Sequence, residues 1–293
     1  MKEILYMCRF NLITSLFFVS ATLVFITPQL KAQDGLIAHW TFDEGKGNKA
    51  KDSSPNAHDA TLEGNPKWTA KGALGGALEF DGDGDYLQTP VLDELKTAEN
   101  FTLSAWFQTN DTSADEHHIV WVGASGENGW GGGSELHLSV RHFGHPNKLS
   151  FYFGSGGENS GNEINIVTKE DFTDTSNWHH LVGVIKNANG PKVQGILYLD
   201  GKVVEPWRKG FVDGSGTEFK TQDEAAPPDR ATWNTELRIG VAGASDQRFF
   251  HGRIDDVRVY DRAVEPKDIK PGDTAVKRDG KLAIIWGHLR TNL

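Results

Sequence analysis

Two acids stand side by side in GRIDDVRVY, residues 252–260. The residues around them read as a strand, in which successive side chains point to opposite faces. Asp255 is therefore expected on one face with Val257 and Val259, and Asp256 on the other with Ile254, Arg258 and Tyr260. An ionised carboxylate among valines is costly unless something satisfies it, or unless it keeps its proton. Main-chain amides, Arg253 or Arg262 would serve, and so would a divalent cation. A second run of acids, DGDGDYL at 81–87, alternates Asp81, Asp83 and Asp85 with other residues. It reads as a surface turn, because DGDGDYLQTPVL lacks both the glycine at the sixth place and the acid at the twelfth of a calcium-binding EF-hand loop.

Histidines and tryptophans are the other groups with chemical reach. His117-His118 and His179-His180 are adjacent on expected strands, so each pair points to opposite faces and cannot grip one ion. No nucleophile with a nearby base, phosphate-binding loop or dinucleotide fingerprint is present. Of the nine tryptophans, Trp40, Trp106 and Trp178 fall in strand-like runs and belong in a core. Trp130 lies in a glycine-rich stretch, Trp207 in VEPWRKG and Trp233 after an acidic, proline-containing insertion. These three are the candidates for stacking on a sugar ring, with closure of the sandwich ends as the alternative role.

These residues need a scaffold, and the pattern supplies strands. LIAHWTF (36–42), ALEF (77–80), FTLSAWF (101–107), HIVWVG (118–123), ELHLSVRH (135–142), KLSFYFG (148–154), WHHLVGVIK (178–186) and GILYLDGKVV (195–204) are short, β-prone and separated by turn residues. Asp200-Gly201 between two apolar runs is a two-residue hairpin turn. No amphipathic helix of useful length interrupts them. The pattern predicts an all-β fold, an antiparallel two-sheet jelly-roll sandwich. Polar insertions at 124–134, 154–163 and 213–232 must run over the surface.

The first 32 residues read as a signal peptide: Lys2 and Arg9, then an apolar run from Leu12 to Ile26, then Leu30-Lys31-Ala32. A secreted, periplasmic or cell-surface location follows, with no stable membrane insertion after cleavage. Residues 33–270 make one domain and 271–293 an extension containing KLAIIWGHLR. Cleavage removes three cations and one acid, taking the net charge from −10 to −12. That argues against nucleic acid as a partner. The single cysteine, Cys8, lies in the cleaved part, so no disulfide staples the mature chain.

GLIAHWTFDEG, KDSSPNAHDATL, GGALEFDGDGDYL, NFTLSAWF, WHHLVGVI, LYLDGKVV and GRIDDVRVYDRAVEPKDI together resemble, in order, the laminin-G-like group of concanavalin A-like lectin/glucanase domains. The resemblance runs from about Gly35 to Ile269. It implies a jelly roll common in bacterial secreted proteins, often concerned with carbohydrate and often carrying a structural calcium. The last strand of such a sandwich lies beside the first. Asp255 would then meet Asp43, Asp52 and main-chain carbonyls of residues 53–58 around a calcium, which takes six to eight oxygens. The alternative leaves Asp52 as the cap of an Asx turn.

The resemblance also raises glycan hydrolysis and lyase chemistry. Laminarinase-like members carry E-x-D-x-x-E on one strand, but here Asn165 holds the central place after Glu163. Lyase-like members show an arginine-rich strand and a Gln-x-His strand. SVRHFGHPNKLSFYFG offers Arg141, His142 and His145 without that arrangement, so Arg141 and His142 are counted as ligand-binding candidates. The reading is a non-catalytic carbohydrate-binding or adhesion module whose partner is a glycan or polysaccharide. The alternatives are a glycan-active enzyme on the same fold or a cell-surface protein-interaction module.

Overall fold

The computed structural model describes residues 35–112, 117–124, 134–142, 145–155, 163–190, 192–205, 229–233, 236–243 and 248–269. The chain divides between Asp34 and Gly35, and the unit that starts at Gly35 is the one described. Its strands are β1 (Leu36–Trp40), β2 (Lys49–Ala50), β3 (Ala60–Glu63), β4 (Lys67–Thr69), β5 (Ala77–Asp81), β6 (Tyr86–Gln88), β7 (Phe101–Thr109) and β8 (His117–Gly123). They continue with β9 (Ser134–His142), β10 (His145–Ser155), β11 (Glu163–Val167), β12 (His179–Lys186), β13 (Gln194–Leu199), β14 (Lys202–Val203), β15 (Arg238–Ile239) and β16 (His251–Tyr260). A four-residue helix, α1 (Glu94–Thr97), is the sole α-helix among the described residues.

The strands form two antiparallel sheets. The first runs β14-β13-β12-β7-β16-β5-β4, with β1 also paired to β16, and the second runs β11-β10-β9-β8-β15-β6-β3-β2. The antiparallel sandwich expected from the strand pattern is the fold. β16 is the last of the described strands yet sits centrally, bonded to β1, β5 and β7. At the β13–β14 turn, Asp200 and Gly201 both take positive φ, 51° and 77°, as the two-residue hairpin requires.

Between the sheets lies one core, fed by alternate residues. Phe101, Leu103, Ala105 and Phe107 of β7 meet Leu136 and Leu138 of β9 and Phe151 and Phe153 of β10 in it. The approach is close at β12, where a Cβ on Gly183 would run into the Phe151 ring. The outer face of the first sheet is covered as well. Val182, Val184, Tyr198 and Tyr260 pack there under Val264 and Ile269. Thr102 clamps that covering segment by donating to the Arg262 carbonyl and accepting from the Val264 amide.

The alternation expected along β16 breaks at the acids. Asp256 has φ 48°, and the register with β7 slips between Asp255 and Arg258. One extra residue in a strand is a bulge, which resets the faces beyond it. Ile254, Val257 and Val259 therefore all enter the core, whereas Asp255 pairs with Trp106 on the side away from Ile254. Asp255 does not share the valines' face, contrary to strict alternation.

Candidate functional site

Asp255 lies under the turn that precedes β5. It is 1% exposed, its Oδ2 accepts the Leu74 amide at 2.8 Å, and its Oδ1 has no hydrogen-bond partner. Burial pushes its pKa up to about 7; the Leu74 and Asp256 amides oppose that rise, while the negative charges of Asp256 and Asp43 add to it. Asp43 holds the same turn two residues further on, accepting the Gly76 amide at 2.7 Å. The turn closes on itself through Gly72 N–H to the Gly75 carbonyl, 2.9 Å. Its glycines are sterically required: a Cβ on Gly72 would strike the Gly76 carbonyl and Asp255 Oδ2, and Gly75 has φ 136° beside the Asp43 carboxylate.

Two carboxylates thus converge on KGALGG, and sequence reasoning missed that segment as their partner. Its glycines, placed just before a strand, were the available signal. Asp52, expected as a third ligand, is engaged elsewhere. Its oxygens accept the amides of His39, Ser54 and His58, each at 2.8 Å, and the Ser54 hydroxyl at 2.6 Å. That is a loop-ordering cap, and it leaves Asp52 no role beside Asp255. Among the described residues no group of three His, Cys, Asp or Glu side chains could hold a metal. Asp43 and Asp255 are the two expected ligands that remain together, each accepting one amide of the glycine turn. The orphaned Oδ1 of Asp255 is the atom that a cation there would satisfy. Asp81, Asp83 and Asp85 are turn formers, as expected: Asp85 accepts the Asn65 and Asp81 amides, and Asp81 the Asp83 amide.

The neighbouring acid has a different task. Asp256 Oδ1 meets His39 Nε2 at 2.6 Å and Arg258 at 3.0 Å, all three side chains being buried. His39 Nδ1 reaches Ser53 Oγ at 3.0 Å. These bonds join β1, the loop after it and β16. The His39 bond, the positive charge of Arg258 and its hydrogen bond keep the Asp256 carboxyl below its ordinary range against the penalty of burial. Nearby, His180 stacks on Trp106 with centroids 4.9 Å apart, and its Nε2 lies 2.8 Å from Ser104 Oγ. Burial drives its pKa down to about 4.

The outer face of the second sheet is polar and aromatic. Strand register aligns Trp121, His137, Tyr152 and Asn165 in a row across β8 to β11. His137 stacks on Tyr152 at 5.2 Å and 15°, His118 lies 4.3 Å from His137, and Trp121 Nε1 donates to Glu135. All four residues of the row are buried. The side chains of Arg141, His142 and Glu163 lie outside the described residues, as do Trp130 and Trp207 altogether. Trp233 is described, and it closes the core: it is 1% exposed and stands edge-on to Phe153. A buried ring offers no face to a sugar, so the plug role is the one it takes.

Two facing antiparallel sheets, polar on one outer side, define a concanavalin A-like β-sandwich. The profile described as Concanavalin A-like lectin/glucanases superfamily, Laminin_G_3, matches residues 81–206 and 207–270, and the chain belongs to that family. No curated protein matches it. Domain 4 of AbnA, a GH43 extracellular arabinanase from Geobacillus stearothermophilus solved in complex with arabinotriose, is similar with TM-score 0.53 and 19% identity, over 80% of this chain and 96% of that one. The binding domain of Paraclostridial Mosquitocidal Protein 1 is similar with TM-score 0.54 and 13% identity, over 81% of this chain and 51% of that one. The binding domain of botulinum neurotoxin DC in complex with SialylT gives 0.50 and 16%, over 81% and 50%. The chain thus spans about half the length of the toxin binding domains. At these identities the likeness is one of fold.

Proposed function

We propose that the chain is an exported, non-catalytic carbohydrate-binding or adhesion module, steadied by a calcium ion between Asp43 and Asp255. The observation that carries the reading is the outer face of the second sheet, where polar and aromatic side chains gather and the place on β11 that a catalytic acid would take is held by Asn165, an amide that cannot serve as a general acid or nucleophile. The arabinotriose-bound domain with the same fold supports a glycan as the ligand. Asp43 and Asp255 would hold the calcium. Bound there, it would supply positive charge to two acids that otherwise repel each other across a glycine turn.

Binding of the purified residues 33–293 to a diverse glycan array tests the reading. A glycan bound without turnover is expected. Hydrolysis or elimination products that disappear in Glu163→Gln or His142→Ala would replace it with the enzyme reading.

A further inference from the structure

We infer that the glycan contacts the other half of the second sheet's outer face, at Tyr86, Gln88, Thr61, Glu63, Arg238 and Phe249, and that it is a short neutral oligosaccharide. This rests on the carbohydrate-binding reading and adds where the ligand sits and of what kind it is. The face changes character along the sheet. From β8 to β11 the row of Trp121, His137, Tyr152 and Asn165 is buried, but on β3, β6 and β15 Thr61, Glu63, Tyr86, Gln88 and Arg238 are all half-exposed. Leu87 and Ile239 turn into the core, so their neighbours Tyr86, Gln88 and Arg238 must face outward. Register sets Thr61, Gln88 and Arg238 in one row and Glu63 beside Tyr86 in the next.

The chemistry of this patch suits a sugar. Tyr86 and the half-exposed Phe249 lie 6.4 Å apart at 37°, giving two aromatic surfaces that are not parallel. Arg238 is stiffened by the Gly243 carbonyl at 2.7 Å and lies 5.3 Å over the Tyr86 ring. Around the rings stand a carboxylate, an amide, a hydroxyl and a guanidinium, which together accept from and donate to a polyol. Glu63 and Arg238 carry opposite charge beside the rings, and Lys49, exposed opposite Thr61 on β2, stands at the margin; the centre of the patch therefore has no net sign and favours a neutral ligand over a uronate or sulfated one. An apolar partner is not favoured either, in contrast to the aliphatic outer face of the first sheet, which the chain covers itself. Three strands at sheet spacing give a width of about 10 Å, enough for about two sugar rings.

The test is an array of neutral and uronate-bearing oligosaccharides of two to six units, followed by calorimetry of the best binder with Tyr86→Ala, Gln88→Leu and, as a control on the far edge of the first sheet, Lys202→Ala. Neutral-glycan binding weakened at least about tenfold by the first two and unchanged in the control is expected, with melting temperatures held. Should Tyr86→Ala fold poorly, Gln88→Leu decides. A neutral glycan bound equally by wild type and variants overturns this site and leaves the carbohydrate reading standing. Binding confined to uronate-bearing probes overturns the neutral ligand class. No binding to any probe overturns both this site and the reading beneath it.

Discussion

Asp255 and Leu74 are 181 residues apart in the chain, yet the carboxylate of one accepts the amide of the other at 2.8 Å. That bond fastens the glycine turn before β5 to the bulge in β16. It uses one carboxylate oxygen and leaves the other buried without a donor. Two consequences follow, one for protons and one for metal.

The proton consequence has a definite sign. A folded pKa of about 7 against an ordinary value of 3.8 means the native state holds the proton more tightly than the unfolded chain. Asp255 therefore removes stability as pH rises from about 4 to about 7, by an amount of several kcal/mol at full ionisation. Chelator-treated protein is expected to melt higher at pH 5 than at pH 8, relative to Asp255→Asn. Identical pH profiles for the two proteins would contradict this assignment.

Calcium should act in the opposite sense. Excess calcium at pH 8 is expected to raise the melting temperature by several degrees over EGTA, since occupancy 100-fold above Kd is worth about 2.7 kcal/mol. Asp255→Asn should abolish the difference while Asp52→Asn retains it, even though the latter variant loses a cap. Elemental analysis that finds no bound metal, with coincident melts, would remove the ion.

His39 and Asp256 should behave as one unit. Replacing either alone strands a buried polar group and is expected to cost about 3–5 kcal/mol, whereas the double variant His39→Leu with Asp256→Asn should cost less than the sum of the two. Urea unfolding of the four proteins measures the coupling. Additive losses would show that the 2.6 Å contact is energetically idle.

His180 makes the fold weaker in acid. With a folded pKa near 4 against 6.5, it stays neutral while the unfolded chain would protonate, so its contribution is present above 6.5 and lost as pH falls towards 4. Its imidazole resonances should titrate near 4 by NMR. A midpoint near 6.5 would mean that the ring is not desolvated against Trp106.

Gly183→Ala probes how tightly the sheets meet. The added methyl would overlap the Phe151 ring, and overpacking of this kind costs about 1–3 kcal/mol. Denaturation of this variant beside Gly201→Ala separates the two causes, because a Cβ on Gly201 meets nothing and suffers only its positive φ.

The sequence made the long strands readable because their pattern repeats. FTLSAWF and WHHLVGVIK alternate over enough residues to declare both length and face, and Asp200-Gly201 announced its own turn. Two- and three-residue strands such as β2, β4, β6 and β15 have no such period. They exist because a neighbouring strand pairs with them. Asp43 and Asp255, grouped on the sequence, are brought to one turn, whereas Asp52 binds four local donors instead. The face of Asp255 was misjudged because a single positive φ at Asp256 resets the alternation, and nothing in the order of residues shows it. Trp233 was open to both a sugar-stacking and a plug role because its surroundings are polar in sequence, and the ring inserts against Phe153.

The position of β16 bears on when the molecule can form at all. A ribosome that has made everything up to Phe250 has produced β1, β5 and β7, but not the strand that all three require. The edges of β1, β5 and β7 that face β16 stay hydrated, and the middle of the first sheet stays open, until the last tenth of the folded region emerges, even though β4 and β12 can already pair with β5 and β7.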